Sequence, residues 1–121
     1  MEEEYSADKK FSKELNAGIA ALVLLRTLSP AEKPMYGYQI ASLVGEDTQG
    51  EPLIKQGTLY PVLHSLEDNG LLKSEVEPSV TGPPRRYYTI TEQGREALGR
   101  WEKAWQRTRN FVDSMLSGDK K

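Results

Sequence analysis

Cysteine is absent from this 121-residue chain, and histidine occurs once, as His64. The first absence excludes a disulfide framework, a thiolate metal site and a thiol nucleophile; the second leaves no local His/Cys zinc cluster. No cofactor and no metal are expected. Long apolar runs are missing too: the longest, Ile19 to Leu25, is far shorter than the roughly 20 residues a membrane-spanning helix needs, so no membrane is expected as a partner. Met1 to Lys10 is acidic and polar, without the cationic start and apolar segment of a secretory signal, which makes the cytoplasm the expected location. Neither charge sign dominates, since 16 Lys and Arg oppose 18 Asp and Glu for a formal net charge of −2. A chain of this length and polarity makes one domain.

The apolar residues that are present fall into periodic segments. Phe11, Leu15, Ile19, Leu22, Val23 and Leu28 recur at helical spacing and predict a first helix from Phe11, with Leu24 and Leu25 widening its apolar surface enough to need burial on more than one side. Ser29, Pro30 and Pro34 end it, and Tyr36 to Val44 predicts a second helix with Ile40, Leu43 and Val44 inward. Gly45 to Pro52 reads as an exposed acidic loop. A third helix places Leu59, Val62, Leu63 and Leu66 on one face and Tyr60, Pro61, His64 and Asp68 on the other, and stops at Asn69-Gly70. Because proline fits a helix without cost only in its first turn, this helix either starts near Thr58 or starts earlier and bends at Pro61.

Leu72 to Glu77 alternates with period two, and Arg85 to Ile90 returns after Gly82-Pro83-Pro84, so the two predict a β-hairpin with a stiff tip. Thr91 caps a last helix in which Leu98, Trp101, Trp105, Thr108, Val112 and Met115 form a heptad seam, with Ala97, Ala104 and Phe111 in a second row. From Glu92 to Ser117 that helix spans roughly 39 Å at 1.5 Å per residue, longer than the domain before it. No other segment can bury such a seam, which implies a homodimer through Leu22, Leu98, Trp101, Trp105, Phe111, Val112 and Met115.

Helix, helix, helix, hairpin and long helix is the order of a winged helix-turn-helix, mainly α with a small β-hairpin, carrying a long C-terminal dimerisation helix. The expected division is a flexible acidic arm over 1–10, the DNA-binding domain over 11–91, the dimerisation helix over 92–117 and a tail over 118–121. In this arrangement the third helix lies in the major groove and the hairpin tip reaches a neighbouring groove or phosphate row.

The run Gly57-Thr58-Leu59-Tyr60-Pro61-Val62-Leu63-His64-Ser65-Leu66-Glu67-Asp68-Asn69-Gly70-Leu71-Leu72, followed by Gly82-Pro83-Pro84-Arg85-Arg86-Tyr87-Tyr88-Thr89-Ile90-Thr91-Glu92-Gln93-Gly94, closely resembles the PadR family of bacterial transcriptional regulators. Tyr36-Gly37-Tyr38 and Trp101 fit as well, and the likeness runs from about Leu15 to Met115. It implies a dimeric, ligand-responsive repressor of the short type, bound to a palindrome, and it includes Tyr38 among the residues that meet double-stranded DNA. The arm Met1 to Lys10 is extra to the pattern, and Ile54-Lys55-Gln56 departs from the usual small residues ahead of the third helix.

The outward face of the third helix offers a phenol and an imidazole, Tyr60 and His64, to phosphates or base edges, with Gln56 and Thr58 near the helix start. Glu67 and Asp68 end that contact, because carboxylates repel phosphate. Arg85 and Arg86 follow the double proline and suit phosphates or a narrow minor groove, and Tyr87 lies on the outer face of the same strand while Tyr88 and Ile90 face inward. The bland alternative for each is solvated surface. From Lys55 to Arg95 five basic residues meet five acidic ones, so binding rests on local placement rather than on a basic domain.

Trp101 and Trp105 are first of all seam residues. The resemblance adds a second role, since short members of the family bind planar drugs or phenolic compounds between such tryptophans, with Leu15, Ile19 and Val112 lining the same slot here. Catalysis is not expected: His64 and Asp68 are one turn apart, but no phosphate loop and no oxyanion constellation accompanies them. The rival from another class is a protein-interaction adaptor, a winged helix without DNA binding, which the neutral charge of the third-helix region would suit.

Overall fold

The computed structural model describes residues 2–30, 33–45 and 54–118, and side chains from residue 6 onward. Its elements are α1 (Glu2–Leu28), β1 (Met35–Tyr36), α2 (Gly37–Val44), α3 (Gln56–Asp68), β2 (Leu72–Glu77), β3 (Arg85–Ile90) and α4 (Glu92–Ser117). Helices α1, α2 and α3 pack around one core, with the sheet along α3 and α4 leaving over α1. Among the described residues no helix is long and apolar enough to cross a membrane, and no three His, Asp or Glu side chains gather as for a metal. The expected acidic loop lies outside the described residues from 46 to 53, as does the tail from 119 to 121.

The expectation of a loose arm over 1–10 is replaced by helix: α1 runs back to Glu2. From residue 6 to residue 10 its side chains are exposed, and the segment's alanine, lysines and glutamates are strong helix formers, while acidic residues suit a helix N-terminus. The core takes a different face of α1 from the one the spacing predicted. Ala20, Leu24, Leu25 and Leu28 are buried, whereas Ile19, Leu22 and Val23 are half-buried and Phe11 and Leu15 are exposed. Helix α1 therefore carries two apolar faces, and this chain covers one of them.

Ile40, Ile54, Leu59, Leu63, Leu66, Leu72, Tyr88, Ile90, Ala97 and Leu98 complete the core. Each such leucine or isoleucine contributes about 1.5–3 kcal/mol by leaving water. Leu43, expected inward, is exposed on the short α2, whose buried positions are Gly37 and Ile40. The hairpin has the predicted strands, paired with Leu72 opposite Ile90 through Glu77 opposite Arg85, but Val76, expected on the same face as Leu72 and Ser74, points to solvent because the sheet has outrun the core by then. Sequence reading missed β1, which pairs Met35 with Tyr88 and Tyr36 with Tyr87 and makes the sheet three-stranded in the order β1-β3-β2. Two residues are too few to show a period.

Helix α3 ends in a Schellman motif: the Leu71 amide donates to the Leu66 carbonyl and the Gly70 amide to that of Glu67, both at 2.9 Å, with Gly70 at φ 78°. Pro61 sits within α3, so no amide is available there to meet the Gly57 carbonyl. Thr91 links three elements. Its hydroxyl donates to the Gly70 carbonyl at 2.7 Å and accepts from the Gly94 amide at 3.0 Å, while its own amide donates to the Leu71 carbonyl at 3.1 Å. Arg95, one turn on, donates to the carbonyl and hydroxyl of Ser29 and so closes the C-terminus of α1.

Gly94 lets α4 start this close to the end of α3. A Cβ there would run into the Leu71 carbonyl oxygen and come within 2.7 Å of Ile90 Cγ1. We expect Gly94→Ala to lower the unfolding free energy by about 1–3 kcal/mol, the usual cost of overpacking, read as a lower urea midpoint at unchanged slope. Gly99→Ala, where the added carbon meets nothing within 4 Å, should instead stabilise by about 0.5–1 kcal/mol through helix propensity.

Candidate nucleic-acid interface

The outer face of α3, the start of α2 and the hairpin enclose an open concavity of about 330 Å³, walled by Tyr36, Gly37, Tyr38, Tyr60, His64, Arg85, Arg86 and Tyr88. Three separate elements thus bring Tyr38, Tyr60, His64, Arg85 and Arg86 to one place. Tyr38 is the most open of the tyrosines here, at 69% exposure. Gln56 and Thr58 stand at the opening turn of α3, outside this wall, and Tyr87 is half-buried rather than presented outward.

Local packing explains the placement. Tyr60 can lie flat against the start of α2 only because residue 37 is glycine: a Cβ there would sit 2.6 Å from the ring and 2.7 Å from its hydroxyl. The Tyr36 amide donates to Gln39 Oε1 at 3.0 Å, which holds the strand-to-helix turn that carries both residues. Tyr87 meets Tyr36 edge to face at 5.5 Å, which accounts for its burial. On the other side, the guanidinium of Arg85 lies 4.4 Å above the Tyr36 ring. Sequence reading did not single out Tyr36 as an organiser of the site. The Tyr36-Gly37-Tyr38 word was visible, but β1, which brings Tyr36 beside Tyr87, was not.

The two arginines differ. Arg86 Nη1 donates to Ser74 Oγ at 2.9 Å, and Ser74 Oγ donates onward to Glu67 Oε2 at 2.7 Å. Glu67, read from sequence only as the point where DNA contact ends, is half-buried and tied to the hairpin. Beneath the arginines, burial pushes the Tyr88 phenol above its ordinary value; Arg86 pulls it down, and Glu67 and Tyr60 add to the rise.

A second, larger concavity of about 820 Å³ opens between α1 and α4, with Leu22, Val23, Gly99 and Trp105 as apolar wall and Arg26, Thr27, Glu102, Lys103 and Gln106 as polar wall. Of the residues expected around an effector, Trp105 lines it; Leu15, Ile19, Trp101 and Val112 do not. Trp101 is half-buried against the core and Leu98 lies within it, so the first turns of α4 have contacts inside this chain. Beyond them α4 has outgrown the domain, leaving Trp105 38% exposed, Phe111 64%, Val112 43% and Met115 46%.

Comparison with known proteins gives one consistent picture. The family model described as "Transcriptional regulator PadR-like family" matches residues 24–100. A crystal structure of a PadR family transcriptional regulator from Eggerthella lenta superposes with a TM-score of 0.75 at 29% identity, covering 96% of this chain and 97% of that one. An uncharacterized protein of Lysinibacillus sphaericus is 30% identical over 96 residues, 79% of this chain and 86% of its own length. A transcriptional regulator of Mycobacterium tuberculosis is 53% identical over 45 residues, 37% of this chain and 41% of its own.

The Tyr88 shift has a measurable sign. Below about pH 10 the phenol is neutral in folded and unfolded chains alike; above it the unfolded chain ionises first, so stability falls as pH rises. Urea unfolding at pH 9 and pH 11 should show a smaller alkaline loss for Tyr88→Phe than for the parent.

Proposed function

This chain belongs to the PadR-like transcriptional regulator family, and from that premise we propose that it is a DNA-binding repressor, acting as a homodimer on a palindromic operator and released by a planar aromatic effector. The observation that carries this reading is the convergence of Tyr38, Tyr60, His64, Arg85 and Arg86 on one open concavity beside the outer face of α3. Phenol, imidazole and guanidinium groups are donors suited to phosphate oxygens and base edges. A net charge of −2 over the whole chain keeps non-specific association weak, so affinity depends on these few cations.

The dimer is supported by what α4 leaves uncovered. Trp105, Phe111, Val112 and Met115 stay exposed on the part of α4 that runs past the core, and Phe11 and Leu15 stand open on α1. Joined along these faces, two copies would present two α3 helices to half-sites roughly 34 Å apart, one turn of DNA. The effector is supported by the position of Trp105 in the concavity between α1 and α4. A flat ring stacked on that indole would press on both helices, and it would change DNA affinity only through binding the two dimer geometries unequally. This reading places the protein in the cytoplasm with its DNA and gives it no catalytic step.

Three measurements test it. Sedimentation at micromolar concentration should give a dimer; a monomer with fully quenchable indoles would remove the reading. Duplex DNA from the promoter of the chain's own gene should be retarded selectively, with log K falling linearly in log salt by about 0.9 per phosphate neutralised. No selective retardation even at low salt would favour the adaptor. Planar aromatic compounds should quench the indole fluorescence, and Trp105→Ala should abolish most of that response.

A further inference from the structure

The adjacent arginines of the hairpin have different surroundings, and the difference reaches α3. Ser74 Oγ has one proton to give and accepts one here: it takes the hydrogen bond from Arg86 Nη1 at 2.9 Å and gives its own to Glu67 Oε2 at 2.7 Å. The relay starts on β3, crosses β2 and ends on α3, so it ties the return strand of the hairpin to the reading helix. Glu67 is half-buried, Ser74 is half-buried, and Arg86 shares the strand face of the buried Tyr88 and Ile90. One N–H of Arg86, whose side chain remains exposed, is thereby turned back through Ser74 toward a carboxylate of the same chain. Arg85 is held otherwise: its guanidinium stacks on the Tyr36 ring at 4.4 Å, and its N–H donors are bonded to none of the described residues.

We infer that the two arginines divide the work of the hairpin: Arg85 is the phosphate contact, and Arg86, through Ser74 and Glu67, is a positioning residue that fixes how far the hairpin stands from α3. The inference rests on the DNA-binding reading for Arg85, but the relay itself exists in the free protein. Reading a groove with α3 while the hairpin holds a neighbouring phosphate row requires a set separation between them. A relay ending on a carboxylate supplies charge-assisted hydrogen bonds for that purpose, stronger than neutral ones.

The experiment compares Ser74→Ala, Ser74→Thr, Arg86→Ala, Arg85→Ala and the double variant Ser74→Ala with Arg86→Ala. The probes are duplex promoter DNA and an unrelated duplex, each titrated over a range of salt. Neither serine variant changes charge. Ser74→Ala should weaken operator binding about tenfold with the salt slope and unrelated-duplex binding unchanged, Ser74→Thr should restore it, and adding Arg86→Ala to Ser74→Ala should cost little more. Arg85→Ala should instead reduce the salt slope by about 0.9 per subunit. If Arg86→Ala lowers the slope as much as Arg85→Ala, or Ser74→Ala binds the operator like the parent, the division of roles is overturned.

Hydrogen exchange on the DNA-free protein keeps the two readings apart. Hairpin amides between residues 74 and 87 should exchange about tenfold faster in Ser74→Ala and at the parent rate in Ser74→Thr. Unchanged protection in Ser74→Ala overturns the relay whatever the DNA result. Faster exchange in a protein that binds no DNA supports the relay and refutes the DNA-binding reading instead.

Discussion

Everything that this fold presents outward is referred to one joint, where α3 ends and α4 begins. Gly70 turns the chain through a left-handed conformation, and Thr91 bonds both to its carbonyl and to the opening amide of α4. Gly94 permits the close approach, and Arg95 extends the joint to the end of α1. Third helix, sheet and long helix thus meet within a few residues, held by hydrogen bonds that leave little room for relative sliding. The base of α4 and the end of α3 are thus bonded directly to one another.

The concavity beside α3 is assembled from residues that are unremarkable singly. Its floor is the contact between the Tyr60 ring and the bare backbone at Gly37. Its walls are two arginines held by unlike means, one on an aromatic face and one on a serine backed by glutamate. A chain with more acidic than basic residues can carry a site for an anionic polymer when its cations are held by neighbours rather than spread over the surface.

Much of the architecture was legible in the residues. The third helix announced its buried face by spacing and its end by Asn69-Gly70; the hairpin announced its first strand by alternation; Thr91 marked the start of the last helix and Ser117 its extent. What stayed hidden has physical causes. Periodicity shows that α1 has apolar residues on several sides but not which side the chain will use, so Leu24 and Leu25 displaced Leu15 and Phe11 from the expected core. A two-residue strand has no period, and a polar helix without an apolar stripe looks like an arm until propensity is weighed. In the concavity, helical spacing brought Tyr60 and His64 to one face and the double proline drew notice to Arg85 and Arg86. Spacing was silent on Tyr36, Ser74 and Glu67, which act across elements and leave no mark at short range.

The last helix is long relative to what anchors it. It is held from Thr91 and Arg95 through Leu98 and Trp101, and from there its remaining turns to Ser117 run on for roughly 24 Å at 1.5 Å per residue. In such a lever a tilt of about ten degrees at the fulcrum sweeps the free end through roughly 4 Å. A displacement of a few ångströms at the far tip corresponds to a rotation of only several degrees at the anchored end, with force rather than movement gained on the way.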